Sequence, residues 1–107
     1  MNIDYVELYS PDLEATQDFM TRAFGWGFIE YGPDYREIQG AEVGGGIERA
    51  ALAAPLIILK TADLQAAYDR ITAAGATITR EIFGFPGGRR FQFREPGGTE
   101  MAVWTPD

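Results

Sequence analysis

The sequence repeats itself at an offset of 51 residues. The stretch YVELYSPDL at 5–13 corresponds to LIILKTADL at 56–64, and the correspondence continues beyond it without a gap. A period of about 50 residues that occurs twice indicates a duplicated supersecondary unit. The matched pairs are Leu8 with Leu59, Ser10 with Thr61, Asp12 with Asp63, Leu13 with Leu64, Ala15 with Ala66, Asp18 with Asp69, Met20 with Ile71 and Thr21 with Thr72.

Each half follows the same order of elements. A mostly apolar stretch predicts a strand that is covered on both faces. Asp12 and Asp63 are suited to cap the helix that follows, and Gly25 and Gly75 are suited to end it. Three strand-like stretches come after each helix, so each half predicts the order β-α-β-β-β. The predicted strands are 3–9, 26–32, 34–40 and 41–49 in the first half, and 54–60, 77–85, 88–96 and 98–104 in the second.

Composition bounds the class of protein. A chain of 107 residues without cysteine or histidine predicts one domain without disulfides, and it lacks the commonest ligand of transition metals. The net charge of −7 disfavours a nucleic-acid partner. No stretch is apolar for long enough to span a membrane, and the first ten residues do not resemble a signal peptide. We therefore expect a soluble, cytoplasmic protein with no membrane partner.

Three stretches in order resemble the vicinal oxygen chelate superfamily, which includes glyoxalase I, extradiol dioxygenases, and fosfomycin and bleomycin resistance proteins. They are ELYSPDLEATQDFMTRAFGW at 7–26, KTADLQAAYDRITAAGA at 60–76 and FPGGRRFQFREPGGTEMAVW at 85–104. The resemblance implies an α+β fold in which two tandem βαβββ modules form a curved mixed sheet around a shared cup. Residues 1–107 would then be a single domain, with module one over about 1–52 and module two over about 53–107.

The resemblance also implies where a divalent metal would be held in the family's enzymes. The matching positions here are Tyr5, Leu56 and Ala102. Leucine and alanine cannot coordinate a metal, and a tyrosine is a poor ligand for most divalent ions at neutral pH. Carboxylates at neighbouring positions such as Glu7 and Glu100 could supply a site for a hard cation. We expect no metal and no other cofactor.

Alternation along the strands assigns the residues of the cup. Tyr5, Glu7 and Tyr9 share one face of the first strand, whereas Val6 and Leu8 are expected under the helix. Alternation does not settle the facing of the acidic residues at 37, 42 and 48. The complete set of predicted ligand-binding residues is Tyr5, Glu7, Tyr9, Trp26, Leu56, Ile58, Lys60, Glu100, Ala102 and Trp104.

Several of these residues have more than one interpretation. Glu7 is either a base or an anchor for a cationic or hydrogen-bond-donating ligand, or it forms a structural ion pair with Lys60. The aromatic residues Tyr5, Tyr9, Trp26, Phe28 and Trp104 form either a cage for a ligand or ordinary core. Arg89, Arg90 and Arg94 either grip an anion or pair in solvent with Glu95 and Glu100. The three glycines at 44–46 favour a bulge or an edge strand.

Three functions are compatible with these residues. The first is a metal-free protein that binds a small, partly aromatic molecule in the cup, as drug-sequestering resistance proteins do. The alternative is a divergent enzyme of the glyoxalase, isomerase, lyase or dioxygenase kind that uses Glu7 as catalytic base, with or without a divalent metal. In the third, the cup is filled by its own side chains. We also expect a homodimer, because relatives commonly dimerise and two small sheets leave edges to cover.

Overall fold

The computed structural model describes all residues, Met1–Asp107. The elements follow the order β-α-β-β-β twice, which confirms the duplicated motif and the α+β class. Neither helix is long and apolar enough to cross a membrane. The elements are β1 Asn2–Ser10, α1 Leu13–Phe24, β2 Gly27–Glu30, β3 Tyr35–Gln39, β4 Gly44–Arg49, β5 Leu56–Lys60, α2 Leu64–Ala73, β6 Thr77–Phe85, β7 Gly88–Arg94 and β8 Glu100–Pro106.

The chain divides into two compact units. The first unit is Tyr5–Pro55, and the second unit is Leu56–Asp107 together with Met1–Asp4. In the first unit the strand order is β2-β3-β4-β1, with β1 parallel to β4 and the other pairs antiparallel. In the second unit the order is β5-β8-β7-β6, with β5 parallel to β8. The two units therefore have the same mixed topology, as a duplication requires. A cup shared between them stays a prediction.

Both helices begin at the predicted aspartates. The Asp12 carboxylate accepts a hydrogen bond from the Ala15 amide at 3.1 Å, and the Asp63 carboxylate accepts one from the Ala66 amide at 3.0 Å. Each bond satisfies an amide that has no partner within the helix. Helix α1 ends at Gly25, whose φ of 75° lies in the left-handed region that glycine tolerates best.

The core of the first unit lies between α1 and its sheet. Leu13 of α1 and Ile47 of β4 are fully buried. Arg36 of β3 donates from Nε to Gln17 Oε1 of α1 at 2.8 Å, which places Arg36 on the same side of the sheet. Because side chains alternate along a strand, the neighbours of Ile47 and Arg36 project from the opposite side of the sheet.

The core of the second unit lies between α2 and β7–β8. Leu64 and Ala67 of α2 pack with Phe91, Phe93 and Val103, and Leu59 of β5 packs against this cluster. The position of Leu59 confirms the facing predicted for it. Full burial of one such side chain stabilises the fold by about 1.5–3 kcal/mol.

The three glycines at 44–46 lie in the interior of a sheet. Strand β4 pairs with β1 on one side and with β3 on the other, and both registers run without a break. The prediction of a bulge or an edge strand was therefore wrong. The physical reason is the close approach of side chains above Gly46, where an added Cβ would overlap the hydroxyl oxygens of Tyr5 and Tyr35.

Candidate functional site

The sheet of the first unit presents a polar surface on the side opposite α1. Glu7 of β1 lies opposite Gly46 of β4, and Gly46 lies opposite Glu37 of β3. In the next row, Tyr9 lies opposite Glu48, which lies opposite Tyr35. Directly opposed residues project to the same face of a sheet. We call this surface the tyrosine-glutamate face; it comprises Tyr5, Glu7, Tyr9, Tyr35, Glu37 and Glu48.

Glu7 is the most deeply placed carboxylate of this face. Its exposed fraction is 6%, which is exceptional for a glutamate. Tyr9, two residues further along the same strand, donates its hydroxyl hydrogen to Glu7 Oε1 at 3.0 Å. This bond holds one carboxylate oxygen in a defined orientation. A buried, oriented carboxylate can anchor a hydrogen-bond donor or accept a proton.

Two phenols meet above Gly46. The hydroxyl groups of Tyr5 and Tyr35 are hydrogen-bonded to each other. Burial raises the pKa of Tyr5 above its ordinary value; the bond to Tyr35 opposes the rise, and the charges of Glu37 and Glu7 add to it. Tyr5 therefore holds its proton more firmly than an exposed phenol does.

Glu37 interacts with a further tyrosine, Tyr31, which precedes β3. A hydrogen bond between the Tyr31 hydroxyl and Glu37 raises the pKa of Tyr31, and the charge of Glu37 acts in the same direction. Tyr31 is more than half exposed. Tyr31 is therefore an exposed phenol that is bonded to a carboxylate of the face.

Three residues of this face, Tyr35, Glu37 and Glu48, were not among the predicted ligand-binding residues. The sequence left the facing of Glu37 open and gave no role to Tyr35. The run of glycines at 44–46 was a signal for them, since glycine in a strand can mark a close approach of other groups. Glu48 shares the face, whereas Glu42 precedes β4 and has a φ of 68°.

The predicted residues of β5 and β8 form an apolar patch in the second unit. Ile58 lies directly opposite Ala102, and their exposed fractions are 4% and 0%. Leu56 is also 4% exposed. These side chains can contact an apolar group but offer no hydrogen bond.

Lys60, Glu100 and Trp104 lie toward the ends of the same two strands. Lys60 is opposite Trp104, with its Nζ 5.4 Å from the centre of the indole ring. The indole Nε1 donates to Asp4 Oδ2 at 3.0 Å. Glu100 is exposed and lies opposite Arg94.

The structure does not bring Trp26 to the tyrosine-glutamate face. Its ring lies 4.8 Å from the ring of Phe24, just beyond the end of α1. Phe28 lies opposite Ile38, on the side of the sheet that Arg36 shares with α1. The predicted aromatic cage is therefore not assembled from these residues. Trp26 instead covers the end of the helix, where apolar contact with Phe24 is available.

Glu95 is not arranged as a partner for the arginine cluster. Its carboxylate accepts hydrogen bonds from the amides of Gly97 at 2.7 Å and Thr99 at 2.9 Å. The bonds from Thr99 and Gly97 lower the pKa of Glu95. This carboxylate therefore stabilises the turn between β7 and β8.

The residues present do not fit a divalent metal centre of the kind that the family resemblance implies. No three acidic side chains of the chain lie together in a group that could hold a metal ion. Of the three implied positions, only Tyr5 has an oxygen in its side chain, and that hydroxyl is hydrogen-bonded to the hydroxyl of Tyr35.

The architecture defines the class of protein. A duplicated βαβββ motif, in which each sheet is covered by a helix on one side, is the arrangement of glyoxalase-like proteins. A family model described as "Glyoxalase/Bleomycin resistance protein/Dioxygenase superfamily" matches residues 2–103, and the chain belongs to this superfamily. The predicted family is confirmed.

Solved structures share the fold at low sequence identity. A glyoxalase/bleomycin resistance protein/dioxygenase superfamily member from Vibrio splendidus has a TM-score of 0.76 and 16% identity, with 94% of this chain and 96% of that chain covered. A variant methylmalonyl-CoA epimerase from Streptomyces coelicolor, in complex with 2-nitronate-propionyl-CoA, has a TM-score of 0.74 and 17% identity, with 99% and 97% covered.

A third similar structure is longer than this chain. The Mn(II)-bound glyoxalase from Novosphingobium aromaticivorans has a TM-score of 0.73 and 21% identity; the match covers 96% of this chain and 38% of that one. No curated protein sequence matches the chain significantly. Identities this low establish the common fold and leave the reaction open.

Proposed function

We propose that this protein binds a small, partly aromatic molecule on the tyrosine-glutamate face without a metal, in the manner of a resistance or metabolite-binding protein. The observation that carries the proposal is Glu7, a carboxylate that is 6% exposed and oriented by Tyr9. A buried carboxylate is retained where hydrogen bonds or paired charges hold it, and a carboxylate held in this way can anchor a donor group of a ligand. The ligand group that meets Glu7 would be cationic or a hydrogen-bond donor.

The aromatic part of the ligand would contact the phenol rings. Tyr5, Tyr9 and Tyr35 are each partly exposed beside Glu7, and a tyrosine ring offers an apolar surface together with a polar edge. A cationic group would also be attracted to the ring faces. The acidic side chains of Glu37 and Glu48 on the same face would disfavour anionic ligands at this position.

A thermal-shift screen of cationic and neutral aromatic compounds tests the proposal. A ligand at about 100 times its dissociation constant adds about 2.7 kcal/mol to the free energy of unfolding. The best compound is then titrated by calorimetry into wild type, Glu7→Gln and Glu42→Gln. Glu42 is exposed and lies outside the face, so Glu42→Gln makes the same charge change as a matched control.

Loss of binding in Glu7→Gln with retention in Glu42→Gln is the expected result. Equal binding by both variants would show that Glu7 does not contribute to the binding site. A screen without any ligand would favour a protein whose cup is filled by its own side chains. Stoichiometric zinc, iron, nickel or manganese in protein purified without chelator would overturn the metal-free proposal.

An enzyme that uses Glu7 as base is the second candidate. The Tyr9 hydrogen bond favours it, because an oriented carboxylate is what proton abstraction requires. Several structural neighbours are named methylmalonyl-CoA epimerases, so the probes would include acyl thioesters and 2-oxo acids in deuterated water. NMR would monitor the exchange of hydrogen for deuterium at the carbon beside the carbonyl. Exchange in wild type that is lost in Glu7→Gln would support this reaction. Absence of exchange with every compound of the panel would leave ligand binding as the single proposed function.

We further propose that the protein is a homodimer. Large apolar side chains are exposed to solvent, among them Phe19, Phe24 and Leu52, whose exposed fractions are 55%, 53% and 79%. Covering such groups favours association. Sedimentation velocity at micromolar concentration is expected to give a dimer, and a monomer under these conditions would contradict the proposal.

A further inference from the structure

An exposed aromatic cluster lies at the C-terminal end of α1. The ring of Phe24 is 5.7 Å from the ring of Phe19, in an edge-to-face arrangement, and 4.8 Å from the ring of Trp26. Phe19 and Phe24 nevertheless keep more than half of their surface exposed. Exposed apolar side chains that contact one another form a continuous patch, which is typical of a surface that binds another molecule. We call this set the α1 aromatic cluster; it comprises Phe19, Phe24 and Trp26.

The cluster extends along the outer side of α1. Leu13 is buried between the helix and its sheet, and at about 100° per residue Phe19 projects about 120° away from Leu13 around the helix. Ala15 and Ala23, one turn before and one turn after Phe19, are exposed as well. Their short side chains would let a second helix come close to the Phe19 ring.

An exposed ion pair borders Phe19. Arg22 Nη2 lies 2.9 Å from Asp18 Oδ2, and 75% and 65% of the two side chains are exposed. Arg22 follows Phe19 by three residues, and residues at this spacing are neighbours on the surface of a helix. The other two arginines of the first unit are committed elsewhere, because Arg36 is buried and Arg49 forms two ion pairs. Arg22 is therefore the most exposed basic side chain of this unit.

The charge of the protein restricts where two copies can meet. The net charge is −7, and the first unit has nine acidic and three basic residues, so most of its surface repels a second copy. The outer side of α1 is different, since Asp18 and Arg22 balance each other beside the aromatic rings. Apolar groups next to a balanced pair of charges suit a partner that presents the same pattern.

The ion pair of α1 is complementary to its own copy. A two-fold axis perpendicular to α1, between Asp18 and Arg22, makes two helices antiparallel and sets Asp18 of each copy level with Arg22 of the other. A guanidinium has five N–H donors, so each Arg22 can bind the Asp18 carboxylates of both copies. The same axis places the two Phe19 side chains next to each other.

We propose that the outer side of α1 is the contact surface between two copies of this chain, with their α1 helices antiparallel. This inference rests on the proposed homodimer and names its interface. Phe19 and Phe24 pack against the copy, and each Arg22 binds Asp18 of the copy across the axis. The surface lies on the helix side of the sheet, so the dimer leaves the tyrosine-glutamate face open to a ligand.

Sedimentation velocity over a concentration series measures the dissociation constant of the dimer. Phe19→Ser should raise this constant at least about tenfold, because truncation of a central aromatic residue removes a large share of the binding free energy. Leu52→Ser is the control, since Leu52 is also exposed but lies outside α1. A monomeric wild type would contradict the homodimer itself. A wild-type dimer that Phe19→Ser leaves intact, or that Leu52→Ser weakens equally, would overturn this interface and leave the homodimer standing.

Charge reversal tests the antiparallel arrangement. In Asp18→Arg two arginines face each other across the axis, and in Arg22→Asp two aspartates do, so each variant alone should form a weaker dimer than wild type. Both positions are exposed, where substitutions change stability little. When the two variants are mixed, opposite charges meet again at both places. Native mass spectrometry should then detect more mixed dimer than random pairing gives, and random pairing or no mixed dimer would overturn the antiparallel contact.

Discussion

Glu7 on β1 lies directly opposite Gly46 on β4, and the absent side chain of Gly46 provides the space in which the hydroxyls of Tyr5 and Tyr35 meet. The most deeply placed carboxylate of the first unit therefore borders the one position of its sheet where any side chain would collide with two phenols. The run of glycines therefore makes room for the polar side chains of the tyrosine-glutamate face.

Gly46→Ala is expected to destabilise the protein. The new Cβ overlaps the hydroxyls of Tyr5 and Tyr35, and overpacking of this kind costs about 1–3 kcal/mol. Urea denaturation followed by circular dichroism measures the change. Gly27→Ala is the control, because the nearest atom to its new Cβ is 3.9 Å away. Equal stability of the two variants would show that the phenols do not occupy the space above Gly46.

The two helix caps are expected to be equivalent. Asp12→Ala and Asp63→Ala each remove a side-chain acceptor from a helix N-terminus, at a cost of about 0.5–2 kcal/mol. Asparagine retains the acceptor, so Asp12→Asn and Asp63→Asn should lose much less. Chemical denaturation of the four variants provides the comparison. A loss as large with asparagine as with alanine would assign the effect to charge and not to capping.

Stability should fall in alkaline solution in part because of Tyr5. Its pKa is raised in the folded protein, so above pH 10 the unfolded chain loses this proton before the folded chain does. The contribution of Tyr5 is therefore fully present below the pKa of the unfolded state and is lost as the pH rises toward the folded pKa. The difference in unfolding free energy between wild type and Tyr5→Phe should be constant from pH 7 to about 9 and should shrink by pH 11. An unchanged difference across this range would contradict the prediction.

Tyr9→Phe is expected to weaken the binding of whichever ligand the screen identifies. The variant removes the donor that orients Glu7, and a hydrogen bond to a charged group is worth about 1.5–3 kcal/mol, or roughly tenfold to a hundredfold in affinity. Calorimetric titration measures the change. Tyr68→Phe is a matched control, because Tyr68 donates to Glu81 at 2.8 Å in the other unit. Equal affinity of both variants would show that Tyr9 does not position the anchor.

The sequence by itself determined the motif and its register along the chain. The offset between the halves, the capping aspartates and the alternation along β1 are local features that act over a few residues. They placed Asp12 and Asp63 at the helix starts, and they placed Glu7 on the same face as Tyr9. The superfamily was recognisable for the same reason, since its motifs are short and lie in a fixed order.

Only the tertiary structure decided which distant residues meet. Tyr5 and Tyr35 are 30 residues apart, and Asp4 and Trp104 are 100 residues apart. Their contacts depend on which strands pair and in what register, and that register is set by the burial of one face of the whole sheet and by the turns between the strands. The same holds for Trp26, which was expected beside the ligand and packs on Phe24. Pairing across the sheet, which no local pattern encodes, therefore set the composition of the candidate site.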